Sequence, residues 1–323
     1  MPALSWRRHH ADPTQTVPDR PHPDPAGATP ETPRGDAARP QTQTPSAQPT
    51  TLLAAGTHSV PMPQLGFGVY KIPDAQSRTA VLTALRTGYR AIDTASFYEN
   101  ERGVGRALRE SDVPREEIFV TTKVWNDRQG YEQTLASFEE SAKRLGQQVV
   151  DLFLIHWPCP ARDLYVDTWR AVLRLRDEGR IRAAGVSNFG IAHLQRLMDE
   201  TGEAPAINQV ELHPYLTQEP LRAFHAEHGI ATQAWGPLAR GRELLADPVI
   251  TDIAERIGRT PAQVVLRWHL QQGRIVIPKS VTPARIAANL DVFDFELAPE
   301  ELAAIDGLER DGRTGPHPDS FNG

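Results

Sequence analysis

Cysteine is almost missing: Cys159 is the only one in 323 residues. That excludes an internal disulfide and a cysteine-rich metal site, and it fits a reducing compartment. No apolar run approaches the ~18 residues of a membrane span, so no membrane partner is expected. Positive charge is not in excess either. The net charge is -6 at pH 7, which excludes the electrostatic footprint of a nucleic-acid binder. No G-x-G-x-x-G follows a strand-like run. The nearest string, Gly103-Val104-Gly105-Arg106-Ala107-Leu108, lacks the last glycine and lies in a helix-like stretch, where small residues allow close packing. A doubly wound dinucleotide fold is rejected on that ground. Neither a carboxylate pair nor a metal-ligand cluster stands out, so hydrolytic chemistry has no candidate residues. His225 and His228 lie at helical spacing beside Glu227. They read as a solvated helix face, and no metal is expected.

What is present divides at about residue 48. Residues 1–48 are crowded with Pro, Thr, Gln, Asp and Arg, with few aliphatic residues to offset ordering entropy, and are expected to be a disordered extension. Arg7-Arg8 resembles the start of a twin-arginine export signal, but no apolar stretch follows it. A downstream start codon would make this extension an artefact of annotation. Residues 49–323 alternate. A short hairpin is expected over Thr51–Val60. Strand-length apolar runs then follow at Leu65–Tyr70, Tyr89–Asp93, Ile118–Lys123, Val149–His156, Ile181–Ser187, Ala206–Glu211, Ile230–Trp235 and Arg274–Pro278. Between them lie amphipathic stretches such as Ile191, Leu194, Leu197 and Met198, which share one helical face. Glycines 88, 146, 179, 202, 229 and 273 stand where helices should end. Strand–helix alternation implies parallel strands covered on both faces. The fold class is therefore α/β: eight runs over roughly 270 residues fit one (β/α)8 TIM barrel, whose usual size is ~250.

In such a barrel the chemistry sits at the carboxyl ends of the strands. Four polar residues fall there: Asp93 ends the second run, Tyr98 follows it, Lys123 ends the third and His156 the fourth. Singly each has a structural reading, as a rim lysine or a hydrogen-bonded histidine. On three adjacent strands they form a candidate site. A carboxylate is costly to bury without a cation, so Asp93 calls for one, and Tyr98 is placed to stand beside the pair.

The chain resembles the aldo-keto reductases from about residue 58 to its end, and among them the bacterial 2,5-diketo-D-gluconate reductase branch. The carrying motifs are GYRAIDTASFYENE, TTKVW, LIHWP, GVSNF, INQVELHP, WGPL and IPKS, and the ending around His317-Pro318-Asp319. The resemblance implies NADPH-dependent reduction of aldehydes and ketones. Tyr98 would be the acid, and Lys123 would lower its proton affinity. Asp93 would hold Lys123, and His156 would orient the carbonyl. For the cofactor it implies Ser187, Asn188 and Gln209 at the carboxamide and Trp235 on the nicotinamide face. Gly236, Pro237 and Leu238 would run along the pyrophosphate, and Lys279, Ser280, Val281, Arg285 and Asn289 complete the set. Thr282 suits an N-cap and Pro283 the first helical turn, and a helix N-terminus binds phosphate. Lys279 and Arg285 favour NADPH over NADH. The family commonly has Glu directly before Asn289; this chain has Ala288, so an adenine contact is expected to be missing. Tyr70, Trp125, Trp157 and the segment after Gly307 would line the substrate mouth. Arg313 offers a charge for an acidic substrate, although a lone Arg in a tail reads first as solvated. Keto-sugar acids, methylglyoxal and simple aldehydes are the expected substrates, and a cytoplasmic monomer the expected form. The alternative is an NADPH-binding auxiliary subunit of an ion channel, as some members of the superfamily are. The intact tetrad argues against it.

Overall fold

The computed structural model describes residues 48–323 apart from Arg242. The expected extension therefore lies outside the described residues except for Gln48, which donates from Nε2 to the Gly88 carbonyl at 2.9 Å. Two antiparallel strands, β1 (Thr50–Ala55) and β2 (His58–Pro63), form the hairpin, turning at Gly56-Thr57.

Eight parallel strands follow in sheet order with their sequence: β3 (Phe67–Gly68), β4 (Ala91–Asp93), β5 (Phe119–Val124), β6 (Val150–Ile155), β7 (Ile181–Ser187), β8 (Ile207–Glu211), β9 (Ala231–Trp235) and β10 (Ile275–Val276). The ring closes where Leu65 pairs with Val276. Gly66 N donates to Val276 O at 2.8 Å and Val276 N to Gln64 O at 2.8 Å. Helices connect successive strands from β3 onward. The strands are largely buried on both faces because helices cover one side and barrel-filling side chains the other.

Each expected strand run contains an observed strand, but β3 and β10 are short. Within the run through Tyr70 only Phe67–Gly68 is strand, and the chain turns at Tyr70-Lys71, where Lys71 has a positive φ of 60°. The six glycines expected to end helices all have positive φ, from 67° at Gly146 and Gly229 to 120° at Gly88. Gly103 and Gly105 lie inside the helix Glu101–Glu110. A β-carbon on Gly105 would stand 2.5 Å from the Leu145 carbonyl oxygen, so the glycine permits helix contact and binds nothing. The hairpin inserts Leu53, Ala55, Val60 and Met62 against Ala91, Phe119, Leu152, Ala183, Ala206 and Ile275, which sit at or near the amino ends of the barrel strands. That end is closed by apolar side chains, and the opposite end is left for polar ones.

Candidate active site

The tetrad assembles at the carboxyl ends of β4, β5 and β6. Lys123 is wholly buried, an expensive place for an ammonium group. Its Nζ is 2.6 Å from Asp93 Oδ1 and 2.9 Å from the Thr94 carbonyl. The third neighbour of Nζ is the Tyr98 hydroxyl at 3.5 Å. The other oxygen of Asp93 accepts from Gln209, whose Nε2 donates at 2.7 Å and also reaches Gln233 Oε1 at 2.8 Å. The carboxylate is thus neutralised and oriented from both sides of the barrel.

Local sequence explains the loop that carries Tyr98. Asn100 donates to the Val69 and Ile72 carbonyls at 2.9 Å each and accepts from the Thr94 hydroxyl at 2.8 Å. Glu99 takes the left-handed conformation, φ 55°, that ends the short turn Ser96–Tyr98. Glu101 is buried against the Thr122 hydroxyl and Arg144. Much of the long motif around Tyr98 is therefore scaffolding for one phenol.

Titration follows from burial and charge. Burial pushes the Tyr98 hydroxyl well above the ordinary phenol value, and the Asp93 carboxylate and Tyr70 push the same way. Lys123, the cation expected to lower it, is itself paired with Asp93 at 2.6 Å, and burial outweighs it, so the net direction is upward. Burial also lowers Lys123, against Asp93, which raises it. His156 is driven well below its usual value by burial and by the Lys123 charge, so it is neutral at pH 7. Its Nδ1 is buried with no hydrogen-bond partner. An unpaired N–H there would cost more than an unpaired lone pair, which places the ring proton on Nε2.

Aromatic rings wall the tetrad. Tyr70 lies 4.9 Å from Tyr98 between centroids, Trp125 4.9 Å from His156, and Tyr98 5.6 Å from His156. Trp157 is nearly buried because Phe321 covers it at 4.5 Å. Phe97, which the sequence reading passed over, stacks on Trp125 at 3.7 Å and is 45% exposed. Its place beside Tyr98 in the motif was the available signal.

The expected cofactor residues occupy the adjoining strand ends. Asn188, with φ 63°, donates to the His156 carbonyl at 2.9 Å and to Ser187 Oγ at 3.1 Å, and its Oδ1 accepts from Trp235 Nε1 at 2.7 Å. Ser187 donates to the Gln209 carbonyl at 2.8 Å. His269 Nε2 lies 3.3 Å from the Pro237 carbonyl, and Leu238 packs on the core. Gly236 has open space around it, and Lys279, Val281 and Arg285 are exposed on the far side. Neither Lys279 nor Arg285 forms an ion pair among the described residues. Ser280 and Asn289 are buried nearby. Thr282 is the N-cap of the helix Pro283–Leu290, but its hydroxyl caps nothing; Ser280 Oγ accepts from Thr282 N at 3.1 Å. An open glycine turn, a Trp ring and two free cations fit a phosphorylated dinucleotide.

Two readings fail. His225 is buried, not solvated, with Asn208 Nδ2 at 3.0 Å and Thr232 Oγ1 at 2.9 Å. Arg313 is mostly covered and sits 4.0 Å from Glu211. The described residues contain no cluster of side chains able to hold a metal.

Residues 62–310 match the aldo/keto reductase family. The chain belongs to that family. It is 57% identical over 261 residues to an aldo-keto reductase of Mycolicibacterium smegmatis, covering 81% of this chain and 94% of the relative. It is 51% identical over 263 residues to the methylglyoxal reductase DkgA of Escherichia coli K12, covering 81% and 95%. The crystal structure of a point mutant of Gox0644 in complex with NADPH superposes with a TM-score of 0.81 at 49% identity, covering 85% of this chain and 99% of that one. A Bombyx mori aldo-keto reductase in complex with NADP gives 0.77 at 36% identity, covering 84% and 96%. This chain is an NADP-dependent oxidoreductase that reduces carbonyl groups.

Proposed function

We propose that this reductase acts on small dicarbonyl and keto-acid compounds, with methylglyoxal and 2,5-diketo-D-gluconate as the model substrates, and that Tyr98 is its proton donor. The Lys123 ammonium, fixed between Asp93, Thr94 and Tyr98, is the observation that carries the reading. NADPH supplies the hydride when bound. Tyr98 holds its proton firmly before reaction, as a donor must. As charge develops on the substrate oxygen, the phenol gives up that proton, and Lys123 stabilises the phenolate left behind. His156, neutral with its proton on Nε2, donates a hydrogen bond to the same oxygen and orients it. Ser187, Asn188, Gln209 and Trp235 would hold the nicotinamide end, and Gly236, Pro237 and Leu238 the pyrophosphate. Lys279, Ser280, Val281, Arg285 and Asn289 would hold the 2'-phosphate end.

Similarity to the DkgA relatives and the aromatic walls of Tyr70, Phe97 and Trp125 support compact, polar carbonyl substrates over long aliphatic ones. The test is NADPH oxidation against methylglyoxal, 2,5-diketo-D-gluconate and unbranched aldehydes, with NADH run beside it. The expected ranking puts the two dicarbonyl compounds first, and preference for long aldehydes would overturn the substrate assignment. The reading carries with it a monomeric, cytoplasmic enzyme; a dimer in sedimentation would correct the first of these.

A further inference from the structure

Glu211 ends β8 with a side chain that has no exposure at all. A carboxylate so placed must be satisfied by donors, and most of them come from far along the chain. Its Oε1 accepts from Thr314 N at 2.7 Å, from the Thr314 hydroxyl, and from His213 Nε2 at 3.3 Å. Its Oε2 accepts from Gly315 N at 2.9 Å, with Arg313 at 4.0 Å. Burial works to raise this carboxyl, yet the His213, Thr314 and Gly315 hydrogen bonds bring it down to about 2. The same segment is tied again where Gly312 N donates to the Tyr215 carbonyl at 2.7 Å and Arg310 lies 3.6 Å over the Tyr215 ring.

Glu211 is also the register partner of Trp235 on β9. The segment it holds lies on that indole: a β-carbon on Gly315 would stand 2.6 Å from Trp235 Cη2 and 3.3 Å from Cζ2. Gly315 has no positive φ, so it is required there for space and not for backbone freedom. The indole is also fixed by Asn188, whose Oδ1 accepts from Nε1 at 2.7 Å. Trp235 is therefore held by Asn188 and by a segment pinned by one carboxylate.

We propose that Glu211 is a positioning residue of the reaction: through Thr314 and Gly315 it sets the Trp235 indole against which the nicotinamide rests. The proposal rests on the reading of Trp235 as the cofactor face. Loosening the carboxylate frees Gly315, lets the indole turn, and shortens the residence of NADPH. The segment that reaches Phe321 over Trp157 at the substrate mouth is thereby coupled to the cofactor end of the site.

The test compares Glu211→Gln, Gly315→Ala and Trp235→Ala in the full chain, with Gly307→Ala as control, since a β-carbon there meets nothing closer than 3.4 Å. NADPH dissociation is read by stopped-flow fluorescence, and exchange of the Thr314 and Gly315 amide hydrogens is read without cofactor. Glu211→Gln is expected to speed amide exchange and to raise NADPH dissociation about tenfold, the loss of one charge-assisted hydrogen bond. Gly315→Ala should raise dissociation too, and it keeps the test alive if Glu211→Gln does not fold. Added to Trp235→Ala, Glu211→Gln should change dissociation no further, a non-additivity that a purely structural role would not produce. If Trp235→Ala alone speeds release while Glu211→Gln and Gly315→Ala do not, the clasp is overturned and the cofactor face stands. If Trp235→Ala leaves release unchanged, the cofactor-face reading falls and the proposal with it.

Discussion

At the scale of single residues, the candidate site confines two charges and two protons. Lys123 keeps its charge in a buried place because Asp93 and the Thr94 carbonyl surround it. His156 is held neutral and Tyr98 is held protonated. These directions fix the sign of the pH dependence. His156 titrates well below its usual value, so it stays neutral around pH 7, and kcat should show no inflection near the ordinary histidine pKa of ~6.5. Tyr98 titrates above the usual phenol value, so loss of the acid should not begin below about pH 10. A kcat profile with a histidine-like step near neutrality would contradict this. Lys279→Gly should weaken NADPH about tenfold or more, one charge-assisted contact, and leave NADH nearly unchanged; titration of both cofactors checks it. The four tetrad residues could be read from sequence because strand ends are visible in the apolar runs. The direction of the Tyr98 shift could not. It depends first on the burial of the phenol by the surrounding elements and then on the Asp93 carboxylate, neither of which can be read from the residues beside Tyr98.

At the scale of elements, short-range signals were the legible ones. The six helix-ending glycines and the strand cores depend on local backbone preference and side-chain period. What stayed hidden depends on a second element. His225 looked solvated because its own helix is polar around it, and only β8 and β9 bring Asn208 and Thr232 to its ring. Glu211 carried no warning in the INQVELHP motif, since its donors at Thr314 and Gly315 lie near the far end of the chain. The glycines inside Glu101–Glu110 could be read, because a failed nucleotide motif in a helix leaves packing as their use. Gly105→Ala should therefore destabilise by about 1–3 kcal/mol through overpacking against Leu145, with little change in kcat. Chemical denaturation measures the first and a turnover assay the second.

At the scale of the whole molecule, the barrel divides its labour between two ends. The hairpin β1–β2 seals the amino ends of the strands with apolar side chains, and the carboxyl ends carry the charges. Stability and chemistry should be separable for that reason. Leu53→Ala should cost about 2–5 kcal/mol, lower Tm, and leave kcat at room temperature unchanged; a matching loss of kcat would mean the two ends are coupled. The alternation of strands and helices announced this architecture early, because the fold repeats one local unit. The contacts of residues 309–322 over the barrel mouth do not repeat, and periodicity has nothing to say about them.

The most direct test of the mechanism is the rate of NADPH oxidation with methylglyoxal by Tyr98→Phe, set beside its NADPH affinity. Loss of the proton donor should lower kcat by about 10²–10⁴-fold and leave NADPH binding close to that of the unaltered chain. A variant that turns over at the normal rate would show that Tyr98 is not the acid, and the role assigned to Lys123 would fall with it.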